Sequence, residues 1–107
     1  MDLQKVKPGR SKRYMEFIRE QPCCLTGMVS NDFQTVDPHH EPMPGASTVG
    51  SKACDSRCVP VAHGIHLKMH SPGNSRKSIW EHYGVDPEDV IERMRSEWIK
   101  NGGLKFW

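Results

Sequence analysis

The sequence predicts an α+β domain in which two short antiparallel strands and a helix are flanked by N- and C-terminal helices. Two β-prone runs, Thr35–His40 and Arg57–Val61, are separated by a stretch rich in Pro, Gly and Ser. A histidine-bearing segment with helical spacing follows the second run directly, and a capped, apolar-striped segment lies near the end of the chain.

Each element has its own signal. Ser11 is a candidate N-cap for a short amphipathic helix to Arg19, with apolar Tyr14, Met15, Phe17 and Ile18, ended by Gln21-Pro22. Cys23–Gly27 reads as a turn. Thr35 and Val36 favour a strand that Pro38 pushes to an edge or ends. Glu41–Lys52 reads as a loop, and Arg57-Cys58-Val59-Pro60-Val61 as the second strand. Ala62 or His63 opens a helix to about His70, which Ser71-Pro72-Gly73-Asn74 stops; Arg76 and Lys77, after it, either reach the DNA backbone or lie in a solvated loop. Asp86 as N-cap, Pro87 at the first helical position and the stripe Val90, Ile91, Met94, Trp98 define a last helix from Pro87 to Lys100, which Asn101-Gly102-Gly103 ends. Trp80, Trp98 and Trp107 read as packing residues, and His82 as a residue without a role.

At 107 residues the chain reads as one domain, residues 14–107, behind a basic arm, residues 1–13, with the strand–strand–helix core at about 35–72. Only 36% of residues are hydrophobic, and eight prolines and nine glycines interrupt the chain. A metal, a dimer partner or DNA is therefore expected to help complete the fold. The net charge of +2 is too small to argue for nucleic acid by itself. Its distribution says more: Lys5, Lys7, Arg10, Lys12 and Arg13 crowd the start, where they suit a phosphate backbone. Lys68, Arg76 and Lys77 are further candidates for DNA contact. No apolar run is long enough to span a membrane, and DLQKVKPGRSKR after Met1 has no apolar leader core. The expectation is a cytoplasmic protein with no membrane partner, whose Cys23, Cys24, Cys54 and Cys58 are thiols or metal ligands rather than disulfides.

The chemistry concentrates in the histidines. Five of the six lie between Asp37 and His70, in Asp37-Pro38-His39-His40 and His63-Gly64-Ile65-His66-Leu67-Lys68-Met69-His70. His66 and His70 are four apart, so a helix presents both on one face. One histidine of the His39-His40 pair supplies a third ligand, and its neighbour, pointing the other way along a strand, is left as a base. Asp37 shares the face of His39; it enters the metal shell, orients a ligand from behind, or, as the plainer reading, is a solvated Asp at the strand end. His63 either replaces a ligand, caps the helix or meets phosphate. Neutral imidazole binds borderline metals, and its ordinary pKa of about 6.5 suits it to take a proton from water.

The ordered set His39-His40, Gly50-Ser51-Lys52, Asp55, Val59-Pro60-Val61 and His66-x-x-x-His70 resembles the HNH endonucleases, whose active site is the ββα-metal finger. The similarity is to the phage-type subgroup related to recombination-enhancement nucleases and covers roughly residues 14 to 85. It implies a metal-dependent DNA endonuclease of bacterial or phage origin, acting on double-stranded DNA and leaving 5′-phosphate and 3′-hydroxyl ends. It further implies His39, His66 and His70 as metal ligands, His40 as the general base, Asp55 as the brace of the loop holding His40, and Lys52 as a phosphate contact near the cut. One divalent ion is expected, Mn, Mg, Ni, Co or Zn; three histidines suit Zn, Ni or Mn better than Mg. One base and one ion cut one strand, so a monomer nicks and a homodimer makes double breaks. The pattern departs from the family at the extra zinc site. Pro22-Cys23-Cys24-Leu25-Thr26-Gly27 replaces the first cysteine pair, and Ala62 and Ile65 replace the second, so that site is read as lost. The alternative function is a non-catalytic, zinc-stabilised DNA-binding module using the same histidines.

Overall fold

A computed structural model describes residues 9–43, 53–73 and 75–103. The domain is α+β: α1 (Lys12–Arg19), β1 (Val36–His40), a short 3-10 turn (Asp55–Arg57), β2 (Cys58–Ala62), α2 (His63–Met69), α3 (Ser75–Tyr83) and α4 (Pro87–Lys100). Lys52, with Gly50 and Ser51 of the family-like loop, lies outside the described residues, as does Trp107.

β1 and β2 pair antiparallel, with Val36 opposite Ala62, Pro38 opposite Pro60, His39 opposite Val59 and His40 opposite Cys58. Just beyond the ends of this ladder His63 N donates to Thr35 O at 2.9 Å and Glu41 N to Arg57 O at 3.1 Å. The hydrogen-bonded pairs are therefore those of the odd-numbered β1 residues. Pro38–Pro60 falls at a non-bonded position, where two rings without N–H cost no ladder bond. The outward Pro60 carbonyl accepts from Cys24 N at 2.9 Å, so the Cys23–Gly27 turn covers that edge.

All five β2 residues are buried, and α1, α2 and α4 pack against the strand. Tyr14 and Ile18 of α1, Val59 and Val61 of β2, Met69 of α2, Trp80 of α3 and Val90, Ile91 and Met94 of α4 form the main core. Ser11 caps α1 by accepting from Tyr14 N, and Asp86 caps α4 by accepting from Glu88 N at 2.9 Å, with Pro87 in the first turn. Trp98 packs edge-on against Tyr14, ring centroids 5.3 Å apart.

One alternative of the sequence reading is replaced: Arg76 and Lys77 lie on a helix, α3, not in a solvated loop. Its apolar residues, Ile79, Trp80 and Tyr83, make too narrow a stripe to announce a helix; burial of Trp80 in the core fixes it. Gly73, at φ +88, makes the reversal between α2 and α3 that a side chain would strain. Lys12 and Arg13, at the end of the basic arm, form the first turn of α1, as an N-cap at Ser11 requires.

Arg57 ties the exit of β1 to α4. Its Nε donates to Glu41 O at 2.9 Å and Nη2 to Pro42 O at 3.1 Å, while Nη1 donates to Glu88 Oε1 at 3.0 Å. The hydrogen bonds from Arg57 hold the Glu88 carboxyl below its ordinary pKa. A depressed carboxylate stabilises the fold above its unfolded pKa, and that contribution fades as the pH falls through the folded one. Glu88 is largely exposed, so Glu88→Gln should cost at most about 1 kcal/mol in urea unfolding at pH 7. The gap to wild type should close in acid below the carboxylate range; a constant gap would contradict the pairing.

Candidate functional site

Strand alternation places Asp37, His39 and Glu41 toward one side of β1, and His40 toward the other. On the first side α2 brings His66 and His70 over His39. The ring centroid of His39 lies 5.2 Å from that of His66 and 5.8 Å from that of His70. A nitrogen from each of the three rings lies within 4.8 Å of the others, so the set can hold one ion. Nε2 of His66 and Nε2 of His70 are 2.9 Å apart, somewhat under the ~3.3 Å edge of a tetrahedron with metal–nitrogen bonds near 2.0–2.1 Å.

The groups behind the rings decide which nitrogens face the centre. His39 is 1% exposed, and its Nε2 donates to Glu41 Oε2 at 2.9 Å. Glu41, itself buried, also accepts from Trp80 Nε1 at 3.0 Å and from Arg76. With Nε2 carrying the proton, Nδ1 of His39 carries the lone pair. That Nδ1 is buried with no hydrogen-bond partner among the described residues. An unsatisfied buried acceptor costs about 1–3 kcal/mol; His70 Nε2 donates to His66 Nε2 at 2.9 Å, and once that proton moves to Nδ1 of His70 a cation can satisfy all three rings.

On His66 the roles of the nitrogens reverse. Its Nδ1 donates to Asp37 Oδ2 at 3.0 Å, which leaves Nε2 for the centre. Burial lowers the His66 pKa despite the opposing bond to Asp37, so the ring is neutral and ready to ligate at pH 7. Burial alone would raise Asp37, but hydrogen bonds from His63, His66 and Thr35 hold it lower. Asp37 Oδ2 also accepts from His63 Nδ1 at 2.6 Å, so Asp37 joins His63 to the back of the His66 ring. Among the described residues no fourth His, Cys or carboxylate joins the three-histidine group.

On the opposite side His40 Nε2 donates to Asp55 Oδ1 at 2.7 Å. Asp55 is buried, and its second oxygen accepts from Ser11 N at 2.7 Å. Gly9 O accepts from Asp55 N at 2.7 Å, which fixes the carboxylate from both ends. Arg10, read in the sequence as a phosphate contact, turns inward: Nη1 donates to Ala53 O at 2.8 Å and stands 3.5 Å from Asp55 Oδ1. The structure brings His39, His66 and His70 together on one side and His40 beside Asp55 on the other. Lys12, Arg13, Lys68 and Lys77 are exposed, while Arg76 is held by Glu41. Glu41 and Trp80 are site residues that the sequence reading missed. Glu41 follows His39 by two, the same alternation that singled out Asp37.

The family model for a protein of unknown function (DUF968) matches residues 1–99. The chain belongs to this family. No curated protein and no solved structure matches it. The assignment of chemistry to this DUF968 chain therefore rests on its own residues. Glu41→Gln keeps the shape but weakens the hold on His39 Nε2, so it should lower affinity for Mn or Zn by about 10- to 100-fold in calorimetry. Unchanged affinity would mean that His39 does not face the ion through Nδ1.

Proposed function

We propose that the chain is a metal-dependent DNA endonuclease that hydrolyses phosphodiester bonds, with His39, His66 and His70 holding one divalent ion and His40 acting as general base. One observation carries this reading: three histidines converge, one with a buried, unpartnered nitrogen, while the adjacent histidine is fixed separately by a carboxylate. A purely structural zinc site closes its shell with four protein ligands, whereas a catalytic one keeps a position open. The three-histidine group has no fourth protein ligand among the described residues, which favours catalysis over the zinc-stabilised DNA-binding module.

The roles follow from the hydrogen bonds. Asp55 accepts the Nε2 proton of His40, so Nδ1 is the nitrogen that takes a proton from the attacking water. The Asp55 carboxylate then steadies the imidazolium that forms. A divalent ion bound by the three histidines supplies charge stabilisation to the phosphoryl oxygens and the leaving 3′ oxygen. Glu41 and Asp37 keep the ligand rings aimed, which removes reorganisation from the reaction. The exposed Lys12, Arg13, Lys68 and Lys77, with Lys52, meet phosphates along the duplex. Among the described residues no helix is long and apolar enough to cross a membrane.

Metal-stripped protein re-supplied with Mn, Mg, Ni, Co or Zn should convert supercoiled plasmid to open circles with at least one of these ions. His40→Ala should slow nicking by about 10²- to 10⁴-fold while leaving metal binding intact. His66→Ala should lose both cleavage and metal. Linear DNA as an early product would indicate paired sites in a homodimer. DNA binding with no cleavage under any of these ions would contradict the nuclease and favour the structural module.

A further inference from the structure

The face of the sheet turned away from the three histidines carries a second cluster of ligand-type atoms. His40 and Cys58 are directly opposed in the ladder, at a non-hydrogen-bonded pair. Such pairs bring their Cα atoms to about 4.5 Å and their side chains close together on one face. The 3-10 turn leading into β2 then delivers Asp55 to the same point. A ring nitrogen of His40, a carboxylate oxygen of Asp55 and Sγ of Cys58 all lie within 4.8 Å of one another. Cys58 is fully buried, and its Sγ–H donates to the thioether sulfur of Met15 at 3.3 Å.

Asp55 bonds His40 through Nε2, and Cys58 adds a sulfur ligand atom to the same cluster. Its presence changes the chemistry of the cluster. Three imidazoles suit borderline ions, but a thiolate beside an imidazole and a carboxylate, with a thioether next to it, suits softer ones. We propose that His40, Asp55 and Cys58 form a second cation site, selective for a thiophilic metal ion and separate from the three-histidine centre.

Binding releases the Cys58 proton to solvent, while the proton of His40 moves by exchange with water from Nε2 to Nδ1, so that a thiolate, a neutral imidazole and the Asp55 carboxylate face the cation. Arg10 Nη1, 3.5 Å from Asp55 Oδ1, is the group that an incoming cation displaces; its side chain is 39% exposed and has solvent to turn into. The consequence for catalysis rests on the nuclease reading. A soft ion at this site occupies the base itself, so hard and soft metals act in opposite senses, one completing the site and the other silencing it.

The binding test needs neither DNA nor activity, so its failure is distinct from failure of the nuclease reading. Reduced, metal-free full-length protein is titrated with Cd(II), and the ultraviolet thiolate-to-cadmium charge-transfer band is followed; imidazole and carboxylate ligands do not produce it. The proposal expects a saturable band in wild type that is lost in Cys58→Ser and kept in Cys54→Ser and in His66→Ala. His40→Ala, at a partly exposed position, guards against a Cys58 variant that fails to fold. It should raise the Cd(II) concentration at half-saturation by about tenfold or more. No band in wild type, a band that survives Cys58→Ser, or a half-saturation indifferent to His40→Ala would each overturn the second site.

Discussion

In β1 the side chains of Asp37, His39 and Glu41 leave one face of the ladder and those of Pro38 and His40 leave the other. The separation of the three-histidine group from His40 depends on this parity, and parity depends on register. Two prolines hold the register. At Pro38–Pro60 both rings sit where no N–H is needed, and a one-residue slip would turn one of them inward at the loss of a ladder bond. The same slip would carry the facing partners of His39 and His40 to the wrong side. A two-stranded sheet with so few bonds is an unlikely place to store precision, yet the placement of its prolines makes each alternative register worse.

Around this ladder the domain spends buried polar groups where a small core would ordinarily want apolar ones. Glu41, His39 and Asp55 are all buried. They are tolerated because they are joined: Glu41 to His39, Trp80 and Arg76, and Asp55 to His40, Ser11 and the flank of Arg10. Each network reaches into an element distant in sequence. Through Glu41 the three-histidine side is tied to α3, and through Asp55 His40 is tied to the segment just ahead of α1. Helices that looked like flanking packing are thus the supports of the site.

Much of this was legible in the sequence where a pattern is local. The caps Ser11 and Asp86, the strand pair, the i, i+4 histidines on α2 and the alternation of His39 with His40 all follow from spacing within a few residues. What was not legible depends on contacts between remote segments. α3 has a weak stripe and is fixed by Trp80 entering the core. Arg10 reads as one more cation of a basic arm until Ala53 and Asp55 are seen beside it. Glu41 reads as the first residue of a loop, because nothing local says that Trp80 and Arg76 will meet it. The pairing of Cys58 with His40 needs the register, which the prolines determine only once both strands are placed side by side.

The most direct test of the account is the position of the ion. Crystals of the metal-free protein soaked in Mn(II) should show one strong anomalous peak bounded by Nδ1 of His39 and Nε2 of His66 and His70, with no fourth protein ligand and His40 still bonded to Asp55. A peak ligated by His40, a shell closed by a fourth protein side chain, or no peak among the three histidines would contradict it.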